Sequence, residues 1–436
     1  MKMNKQTSRR DFLKASAALG ITTIGVSAAR NVHAAGSDVI KIGVVGCGGR
    51  GCGAVQDAFS AAPNVKLVAM SDVFEDRVKN PRNALKESHA DRVDVPDDRC
   101  FWGLDGYKGV IEHSDVVLVA CASRFHPKYT MAAVEAKKHL FVEKPHALDA
   151  AGIKIVQKAT QIAKANGTAV VSGLCYRYDT LRREAFGRIA DGEIGDITAV
   201  QCDYIRTPYS LVVRKPEWSE TEYQFRNWYH FTWLAGDEIL QSLLHNIDSV
   251  MTAFGDETPV SAYGVGGRAS MFIETMGDMF DNSAMILNFA DGKRIYGMTR
   301  TATNCFNFNQ DVFHGTKGRC FFNATGTPYM TDLKGNKTWT AGKRERSMYV
   351  QEHYELLTSI QEGKPINDGD RMTRTTMAGI LGFIATRSGQ EVLWDDVMKA
   401  GAVYGPAEEN ISLTMTPPLT PGEDGLYPVA VPGMSK

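Results

Sequence analysis

Short apolar runs alternate with segments of helical periodicity through the first half of the chain. The five clearest runs lie at residues 39–45, 65–70, 115–121, 139–142 and 168–171. Runs of this length are typical of strands that are buried on both faces of a parallel sheet. The segments between them have helical periodicity, most clearly over residues 149–165. Strands and helices in alternation predict a doubly wound α/β domain over residues 38–172.

The second half of the chain has a different pattern. Strand-like runs recur there at residues 197–204, 260–265, 283–289, 294–301 and 319–322. One helical stretch, residues 238–250, places Leu240, Leu244 and Ile247 on a single apolar face. This mixture predicts an α+β domain over residues 173–395. The prolines that follow indicate an extended tail over residues 396–436.

Residues 1–34 have the three regions of a secretory signal. Arg9 and Arg10 lie in a polar start, residues 15–29 carry no charge, and residues 32–34 suit a cleavage site. The paired arginines resemble the twin-arginine signal, which exports folded proteins to the bacterial periplasm. The apolar run is shorter than the ~20 residues of a spanning helix, so we expect no stable membrane anchor after cleavage. An uncleaved anchor or a basic tail is the alternative.

The charge of the chain excludes one class of partner. Its 436 residues include 49 Lys+Arg and 50 Asp+Glu, and the net charge is −1. Residues 1–34 are strongly basic, so the mature chain is mildly acidic. Because nucleic-acid binding needs a basic footprint, we expect no nucleic-acid partner. The eight cysteines are scattered without metal-ligand spacing, and no metal site is predicted.

A glycine-rich turn follows the first predicted strand and fits the pattern G-x-G-x-x-G. Its glycines let the backbone approach a pyrophosphate, whose charge is attracted by the N-terminus of the next helix. Asp72, at the end of the second strand, is placed to bind the adenosine ribose and favours NAD, although a nearby arginine leaves NADP open. The first domain is therefore predicted to be a Rossmann-type NAD(P)-binding domain. Its predicted cofactor contacts are Gly46, Gly48, Gly49, Arg50, Gly51 and Asp72.

Two further loops leave the carboxyl edge of the predicted sheet, where ligands of such folds bind. Ser123 and His126 follow the third strand, and Glu143 and Lys144 follow the fourth. We predict that these four residues contact the cofactor. A lysine ammonium held against a carbinol oxygen also stabilises alkoxide charge, which makes Lys144 a candidate catalytic residue.

Over roughly residues 38–400 the chain resembles the Gfo/Idh/MocA oxidoreductases. The motifs that carry the resemblance are the glycine turn, Glu143-Lys144-Pro145, Gly192-Glu193-Ile194-Gly195, His245-Asn246-Ile247-Asp248, Gly315-Thr316-Lys317-Gly318, and Glu352-His353 followed by Gly363-Lys364-Pro365. The resemblance implies that the second domain has a large open, mostly antiparallel sheet, which walls the substrate cleft and often mediates oligomerisation. A homo-oligomer is therefore expected. The resemblance also implies that Lys144 contacts both the nicotinamide ribose and the reacting hydroxyl. Arg124 stands where many relatives have Asn.

The same resemblance implies a second catalytic group. Family members carry an Asp and a His four residues apart on one helix face, with the His as acid/base. His245 matches this pattern, and Gln241 replaces the carboxylate. The family places substrate-cleft residues at positions 176–178, and the aromatic stretch 223–233 has rings that suit a sugar, although such rings also fill cores. The predicted substrate contacts are Arg177, Tyr178, Trp228, Gln241 and His245, with Tyr176 beside them.

Together these residues predict an exported NAD(P)-dependent oxidoreductase. It would move hydride between a bound nicotinamide and a ring hydroxyl or ketone of a sugar, glycoside or cyclitol, with Lys144 and His245 transferring the proton. Because a protein exported in the folded state loads its cofactor first, NAD is expected to be tightly bound. Two alternatives stay open. One is a redox-neutral glycoside-cleaving enzyme that works through a keto-sugar, and the other is a non-enzymatic sensor.

Overall fold

The computed structural model describes residues 39–324 and 326–434. The predicted twin-arginine signal over residues 1–34 lies outside these residues. Within the described ranges, none of the helices combines the length and the hydropathy that a membrane crossing requires. The described chain is built on two sheets, one of six strands and one of nine.

Six parallel strands form the first sheet. They are β1 Ile40–Val45, β2 Val65–Asp72, β3 Cys100–Trp102, β4 Val116–Val119, β5 His139–Val142 and β6 Val170–Ser172. The helices that connect them are α1 Gly49–Ala61, α2 Glu75–Ser88, α3 Tyr107–His113, α4 His126–Glu135 and α5 Ala150–Asn166. The strand order is β3-β2-β1-β4-β5-β6, with every neighbouring pair parallel. This confirms the predicted Rossmann-type sheet, whose order reverses between β1 and β4.

Both faces of this sheet are buried, and alternate residues along a strand belong to different cores. Ile40, Ile42 and Val44 of β1 pack in one cluster with the apolar face of α1. Val45 packs on the opposite side, in the larger cluster that includes residues of α4 and α5. Because neither face meets water, the strands are apolar at nearly every position, which is why their runs stand out in the sequence.

Nine strands form the second sheet. They are β7 Ile197–Arg206, β8 Ser261–Gly267, β9 Asn282–Asn288, β10 Arg294–Thr301, β11 Phe308–Gly315, β12 Gly318–Asn323, β13 Tyr329–Asp332, β14 Lys337–Thr340 and β15 Val392–Leu393. Their order is β14-β13-β12-β11-β7-β10-β9-β8-β15, and every pair except β7 and β10 is antiparallel. This confirms the predicted open and mostly antiparallel sheet. Buried and exposed residues alternate along β10, as expected where one face is packed and the other is not.

The remaining helices belong to the second half of the chain. They are α6 Thr180–Ala190, α7 Glu220–Arg226, α8 Thr232–Ala235, α9 Leu244–Ala253, α10 Met348–Gln361, α11 Gly369–Ser388 and α12 Trp394–Ala400, with a π-helical turn over Ile239–Leu243 that continues into α9. Two of them join the halves, because α10 packs on α1 and α11 packs on α5. From residue 401 to residue 434 the chain is irregular, apart from a 3-10 turn at Glu408–Asn410. The predicted tail therefore begins after Ala400 and not at residue 396.

Candidate active site

The glycine turn between β1 and α1 is shaped by contacts that leave no room for side chains. Gly46 has a φ of +94°, and a Cβ on it would lie 2.5 Å from the backbone nitrogen of Cys121. A Cβ on Gly51 would lie 1.8 Å from the carbonyl oxygen of Gly46. Gly48 and Gly49, by contrast, have open space where a side chain would stand. The N-terminus of α1 has no side-chain cap, so its N–H groups and the positive end of its dipole are available to an anion.

Asp72, at the end of β2, is held beside this turn by backbone donors. Its carboxylate accepts hydrogen bonds from the N–H groups of Cys47 at 2.8 Å and Val73 at 2.7 Å. Burial raises the pKa of Asp72, and these two donors act in the opposite direction. Asp72 lines the same cleft as Gly48 and Arg77. This is the placement that a ribose-binding carboxylate requires.

A cleft, whose about 840 Å³ of empty space includes open solvent, separates two walls that come from different halves of the chain. The first wall contains the glycine turn and Asp72. The second wall includes Trp228 and Tyr229, whose rings stack with 3.9 Å between centroids. Trp228, predicted to contact the substrate, thus lies across from the glycine turn. The free N–H groups, the open space at Gly48 and the carboxylate of Asp72 fit the pyrophosphate and ribose of a dinucleotide.

Arg50 connects the glycine turn to the turn that carries Lys144. Its guanidinium forms ion pairs with Asp57 and with Glu143, the second at 3.2 Å between Nε and Oε1. Burial raises the pKa of Glu143, and the charge of Arg50 lowers it. Arg50 and Glu143, both predicted as cofactor contacts, are therefore engaged with each other. Their ion pair fixes the end of β5, from which Lys144 projects.

Lys144 reaches from the first half of the chain to the second. The peptide bond between Lys144 and Pro145 is cis, and the Lys144 Nζ donates a hydrogen bond to the main-chain carbonyl of Gln241. Gln241 lies in the π-helical turn, an irregularity that is frequent at functional sites. Burial lowers the pKa of Lys144, and the neighbouring Glu143 opposes that shift. The half-buried Lys144 ammonium is paired with a neutral main-chain oxygen.

The hydrogen bonds of the Gln241 side chain go to residues other than His245, with which it is predicted to share a helix face. Its Nε2 donates to the Ser123 hydroxyl at 3.1 Å and to the main-chain carbonyl of Ala235. Gln241 lies within the π-helical turn and His245 lies in the α-helix that follows it, so the α-helical spacing on which the prediction depended does not apply. Ser123, predicted as a cofactor contact, is buried and accepts this bond. The two side chains together join the loop after β4 to the π-helical turn.

His245, in the first turn of α9, is half-buried beside a thiol and an aromatic ring. Its Nδ1 lies 4.0 Å from the Cys175 Sγ, and its ring packs on Tyr176 with 5.0 Å between centroids. Burial lowers the pKa of His245 well below its usual value, and the charges of Lys144 and Arg182 lower it further. The imidazole is therefore neutral near pH 7. Its Nε2 has no hydrogen-bond partner among residues 39–324 and 326–434, which leaves that atom for a ligand.

Two tyrosines complete the surroundings of these groups. The Tyr176 ring lies between His245 and the guanidinium of Arg182, which is 3.8 Å from the ring centre. The Tyr176 hydroxyl accepts a hydrogen bond from the Asn309 amide at 3.3 Å. Burial raises the pKa of Tyr204 on β7, and the charge of Lys144 lowers it. Tyr204 was not predicted as a site residue, because strand alternation does not show which strand residue lies near a charge from the other half of the chain.

Arg177 and Tyr178, both predicted as substrate contacts, point elsewhere. Arg177 is buried in ion pairs with Asp248 and Asp256, each at 2.7 Å. The Tyr178 hydroxyl donates to a carboxylate oxygen of Asp368 at 2.5 Å. All four residues of the 3-10 turn Cys175–Tyr178 are buried, but only its first two meet His245. The side chains of Arg177 and Tyr178 are thus engaged within the protein, while Cys175 and Tyr176 lie beside His245.

His126, predicted as a cofactor contact, supports the Lys144 turn instead. Its Nδ1 lies 2.7 Å from the carbonyl oxygen of Pro145, and its Nε2 lies 3.0 Å from that of Cys121. The ring is buried, and burial lowers the pKa of His126 to about 4. A neutral imidazole has one N–H, so the ring donates to one of these two carbonyls and lies against the other, between the loops after β4 and β5.

Thiols and metal ligands add little to this site. All eight cysteines are free thiols. Burial raises the pKa of Cys175 well above its usual value, so the group beside His245 is a neutral thiol. In the part of the chain that the structure describes, no group of three or more His, Cys, Asp or Glu side chains is arranged to hold a metal ion.

Comparison with known proteins gives two matches to one oxidoreductase family. The family's NAD-binding Rossmann fold matches residues 40–173, and its C-terminal alpha/beta domain matches residues 187–382. The two matches cover most of the chain. They also coincide with the two sheets described above.

Individual relatives differ in what they do. The myo-inositol 2-dehydrogenase of Thermotoga maritima is 23% identical over 369 residues, which span 81% of this chain and 97% of that protein. A glycosyl hydrolase family 109 protein of Solibacter usitatus is 33% identical over 155 residues, 33% of this chain and 34% of that protein. The solved structure of levoglucosan dehydrogenase with NADH and levoglucosan has a TM-score of 0.64 at 17% identity, over 82% of this chain and 99% of that one, and shows the likeness of fold. With both domains matched, the chain belongs to the Gfo/Idh/MocA oxidoreductase family and has its NAD-binding Rossmann domain.

Proposed function

We propose that the protein is an NAD-dependent oxidoreductase acting on a ring hydroxyl, or the matching ketone, of a sugar, glycoside or cyclitol. The observation that carries this proposal is the hydrogen bond from Lys144 to Gln241, four residues before His245. Through it, Lys144 from the first half of the chain reaches the π-helical turn that continues into α9, the helix that carries His245. The relatives support the substrate class, because two of them are named for myo-inositol and levoglucosan.

Oxidation of a carbinol removes a hydride from carbon and a proton from oxygen. When bound, NAD supplies the acceptor for the hydride. The hydroxyl proton passes to Nε2 of the neutral His245, which is the general base. The ammonium of Lys144 stabilises the negative charge that develops on the carbinol oxygen. In the reverse direction, His245 in its protonated form returns the proton to that oxygen.

The residues that we assign to NAD follow from the first wall of the cleft. The N–H groups at the start of α1, beside Gly48 and Gly49, would hold the pyrophosphate. The carboxylate of Asp72 would accept hydrogen bonds from the ribose diol and repel the 2′-phosphate of NADP. We therefore propose NAD over NADP. Titration with both dinucleotides tests this preference, and tighter binding of NADP would contradict it.

A substrate panel tests the proposed activity. The purified protein is supplied with NAD and with aldoses, inositols, an anhydrosugar and methyl glycosides in turn, and reduced nicotinamide is followed by its absorbance. We expect reduction with at least one of them and loss of that activity in Lys144→Met. Binding of NAD without reduction by any member of the panel would count against the proposal.

A redox-neutral glycoside-cleaving enzyme is the second candidate function. It is favoured by the similarity to the Solibacter usitatus glycosyl hydrolase family 109 protein, which extends over a third of each chain. Such an enzyme oxidises the sugar transiently, eliminates the aglycone next to the new ketone and then reduces the sugar again. Chromogenic glycosides separate the two functions, because aglycone release without net NAD reduction supports only the second.

We also propose that the protein is exported to the periplasm by the twin-arginine route. The proposal rests on the paired arginines and the uncharged run that follows them. Fractionation of cells expressing the full chain is expected to place the protein in the periplasm. Replacement of both Arg9 and Arg10 by Lys is expected to leave it in the cytoplasm. Export of both forms would contradict the route.

The outer face of the nine-stranded sheet suits a homo-oligomer. The pairing of β8, β9 and β10 aligns mostly apolar side chains in two neighbouring rows across the strands. One row consists of Tyr263, Ile286 and Tyr296, and the other of Val265, Ala284 and Met298. Among them Val265 is 70% exposed. A contiguous exposed apolar patch marks an interaction site. Sedimentation is expected to show an oligomer that Tyr296→Glu dissociates, and a monomeric wild type would contradict this assignment.

A further inference from the structure

Residues 220–233, here named the roof, form much of the second wall of the NAD cleft. Their aromatic and basic side chains lie across the cleft from the glycine turn. Arg226 fastens the roof to the first half of the chain, because its guanidinium donates to both carboxylate oxygens of Asp76, at 3.1 and 3.2 Å. The same guanidinium lies 3.9 Å from the ring centre of Phe74. A dinucleotide held between the two walls has to pass the roof when it leaves.

Residues 401–434, here named the strap, contact roof residues other than those that line the cleft. Four hydrogen bonds join the strap to the roof along its length. Two go to strap carbonyls: Thr221 Oγ1 donates to Met415 at 2.6 Å, and Gln224 Nε2 donates to Leu419 at 2.7 Å. Two involve strap hydroxyls: that of Tyr404 bonds with Thr232 Oγ1 at 2.8 Å, and that of Tyr427 donates to Glu220 Oε1 at 2.6 Å. Tyr427 is buried, with its ring edge-on to Phe231. Because these bonds tie the roof to the strap, the roof cannot move alone without breaking them.

Arg124 fastens the strap to the first half of the chain. It follows β4 and is buried, and its guanidinium donates to the main-chain carbonyls of Tyr404, at 2.6 Å, and Pro406. It also forms an ion pair with Asp149 at 3.3 Å. Asp149 in turn accepts a hydrogen bond from the Tyr404 N–H at 2.8 Å. The long arginine side chain therefore holds two strap carbonyls.

We propose that Arg124 and the strap belong to the NAD site, because they hold the roof closed and make NAD a retained group instead of an exchangeable cosubstrate. The inference rests on the proposed function only for the identity of the cofactor. To open, the roof has to break the link between Arg226 and Asp76. It also has to leave the strap or pull the strap from Arg124, which takes two carbonyl acceptors from a buried guanidinium and leaves it only the ion pair with Asp149. Because buried donors without acceptors are costly, the open state is rare and release is slow.

The test measures the release of NAD itself, so it does not depend on any carbohydrate activity. Protein loaded with isotopically labelled NAD is diluted into excess unlabelled NAD, and the label that stays bound is followed with time. Arg124→Met keeps a long side chain but removes all the donors, and we expect it to speed release about tenfold or more. Tyr404→Phe keeps the ring against Phe383 and removes one hydroxyl, and we expect an acceleration of about threefold.

Lys128→Met is the matched control. Lys128 pairs with Glu408 of the strap at 3.0 Å, but both side chains are exposed, and such pairs contribute little. Release from this variant at the wild-type rate, with faster release from the other two, supports the proposal. Equal rates for all the proteins overturn it, and so does an equal acceleration by Lys128→Met. If Arg124→Met does not fold, Tyr404→Phe decides the outcome. A wild type that binds no NAD would overturn the proposed function as well, which distinguishes the two failures.

Discussion

The two proposed catalytic groups are held in opposite ways. Lys144 projects from a turn fixed by charge, since Glu143 next to it is paired with Arg50. His245 is held by a neutral thiol and an aromatic ring. The first arrangement places a cation within reach of an alkoxide, and the second keeps a base uncharged by excluding water. The proposed site thus divides its work between a charged side and a neutral side.

Removal of the charged side is expected to have the largest effect. Lys144→Met keeps much of the side-chain volume but removes the ammonium, and we expect kcat/KM to fall about 10³-fold. Steady-state kinetics on the substrate identified by the panel measure the loss, and NAD titration shows whether binding is retained. Lys154→Met, at an exposed position of α5, is the matched control. A loss smaller than tenfold would mean that the charged side is not needed for the reaction.

Removal of the neutral side is expected to have the next largest effect. His245→Gln retains a polar side chain but no base, and we expect kcat/KM for oxidation to fall about 10²-fold. In the wild type, kcat/KM for oxidation declines as the pH falls through the pKa of His245. This pKa lies below the usual value of about 6.5. The variant is expected to lose this acidic limb, as pH profiles of both proteins will show. His113→Gln, at an exposed position, is the control, and an acidic limb that survives in His245→Gln argues for another base.

The support of the Lys144 turn is expected to fail in acid. The pKa of His126 is about 4 in the folded state, below the unfolded value of about 6.5. The neutral ring therefore stabilises the fold above pH 6.5, and this contribution is lost as the pH falls from about 6.5 towards 4. At pH 5 the loss from this residue is about 2 kcal/mol. Urea unfolding at pH 7 and pH 5 measures it. His126→Gln is expected to be less stable than wild type at pH 7 but to lose less between the two pH values, and an unchanged difference refutes the assignment.

The smallest expected effect comes from adding a negative charge at Gln241, whose main-chain carbonyl binds Lys144. Gln241→Glu brings a carboxylate near Lys144, which raises the pKa of the lysine. We expect the basic limb of the pH profile to move upwards, with a change of only a few-fold in kcat/KM at pH 7. Gln390→Glu, at an exposed position, is the control. A basic limb that stays in place shows that the proton affinity of Lys144 does not govern the rate.

What the sequence predicted well is what local backbone geometry determines. The glycine turn and Asp72 were found because strand, turn and helix fix their spacing within one βαβ unit. Both sheets were also predicted, the first from its uninterrupted apolar runs and the second from the family resemblance.

What it did not predict depends on partners from distant parts of the chain. Arg50 and His126 follow strand ends at the edge of the sheet where the cofactor is expected, so the sequence predicts that they contact it. In the structure, Arg50 is paired with Glu143, and His126 lies against the Pro145 carbonyl. The π-helical turn changed the meaning of the spacing between Gln241 and His245, and no periodicity in the sequence marks such a turn. Arg177 was assigned to the substrate from the family resemblance, and its partner, Asp248, lies 71 residues further along the chain, where no local pattern reveals the pairing.

The stacked pair of Trp228 and Tyr229 gives the protein an optical reporter of its own. An indole in the wall of the NAD cleft changes its emission when a nucleotide enters, and a reduced nicotinamide nearby accepts its excitation energy. The chain contains six tryptophans, so comparison with Trp228→Phe isolates this signal. Occupancy of the cleft then becomes visible in real time by fluorescence, before any substrate has been found.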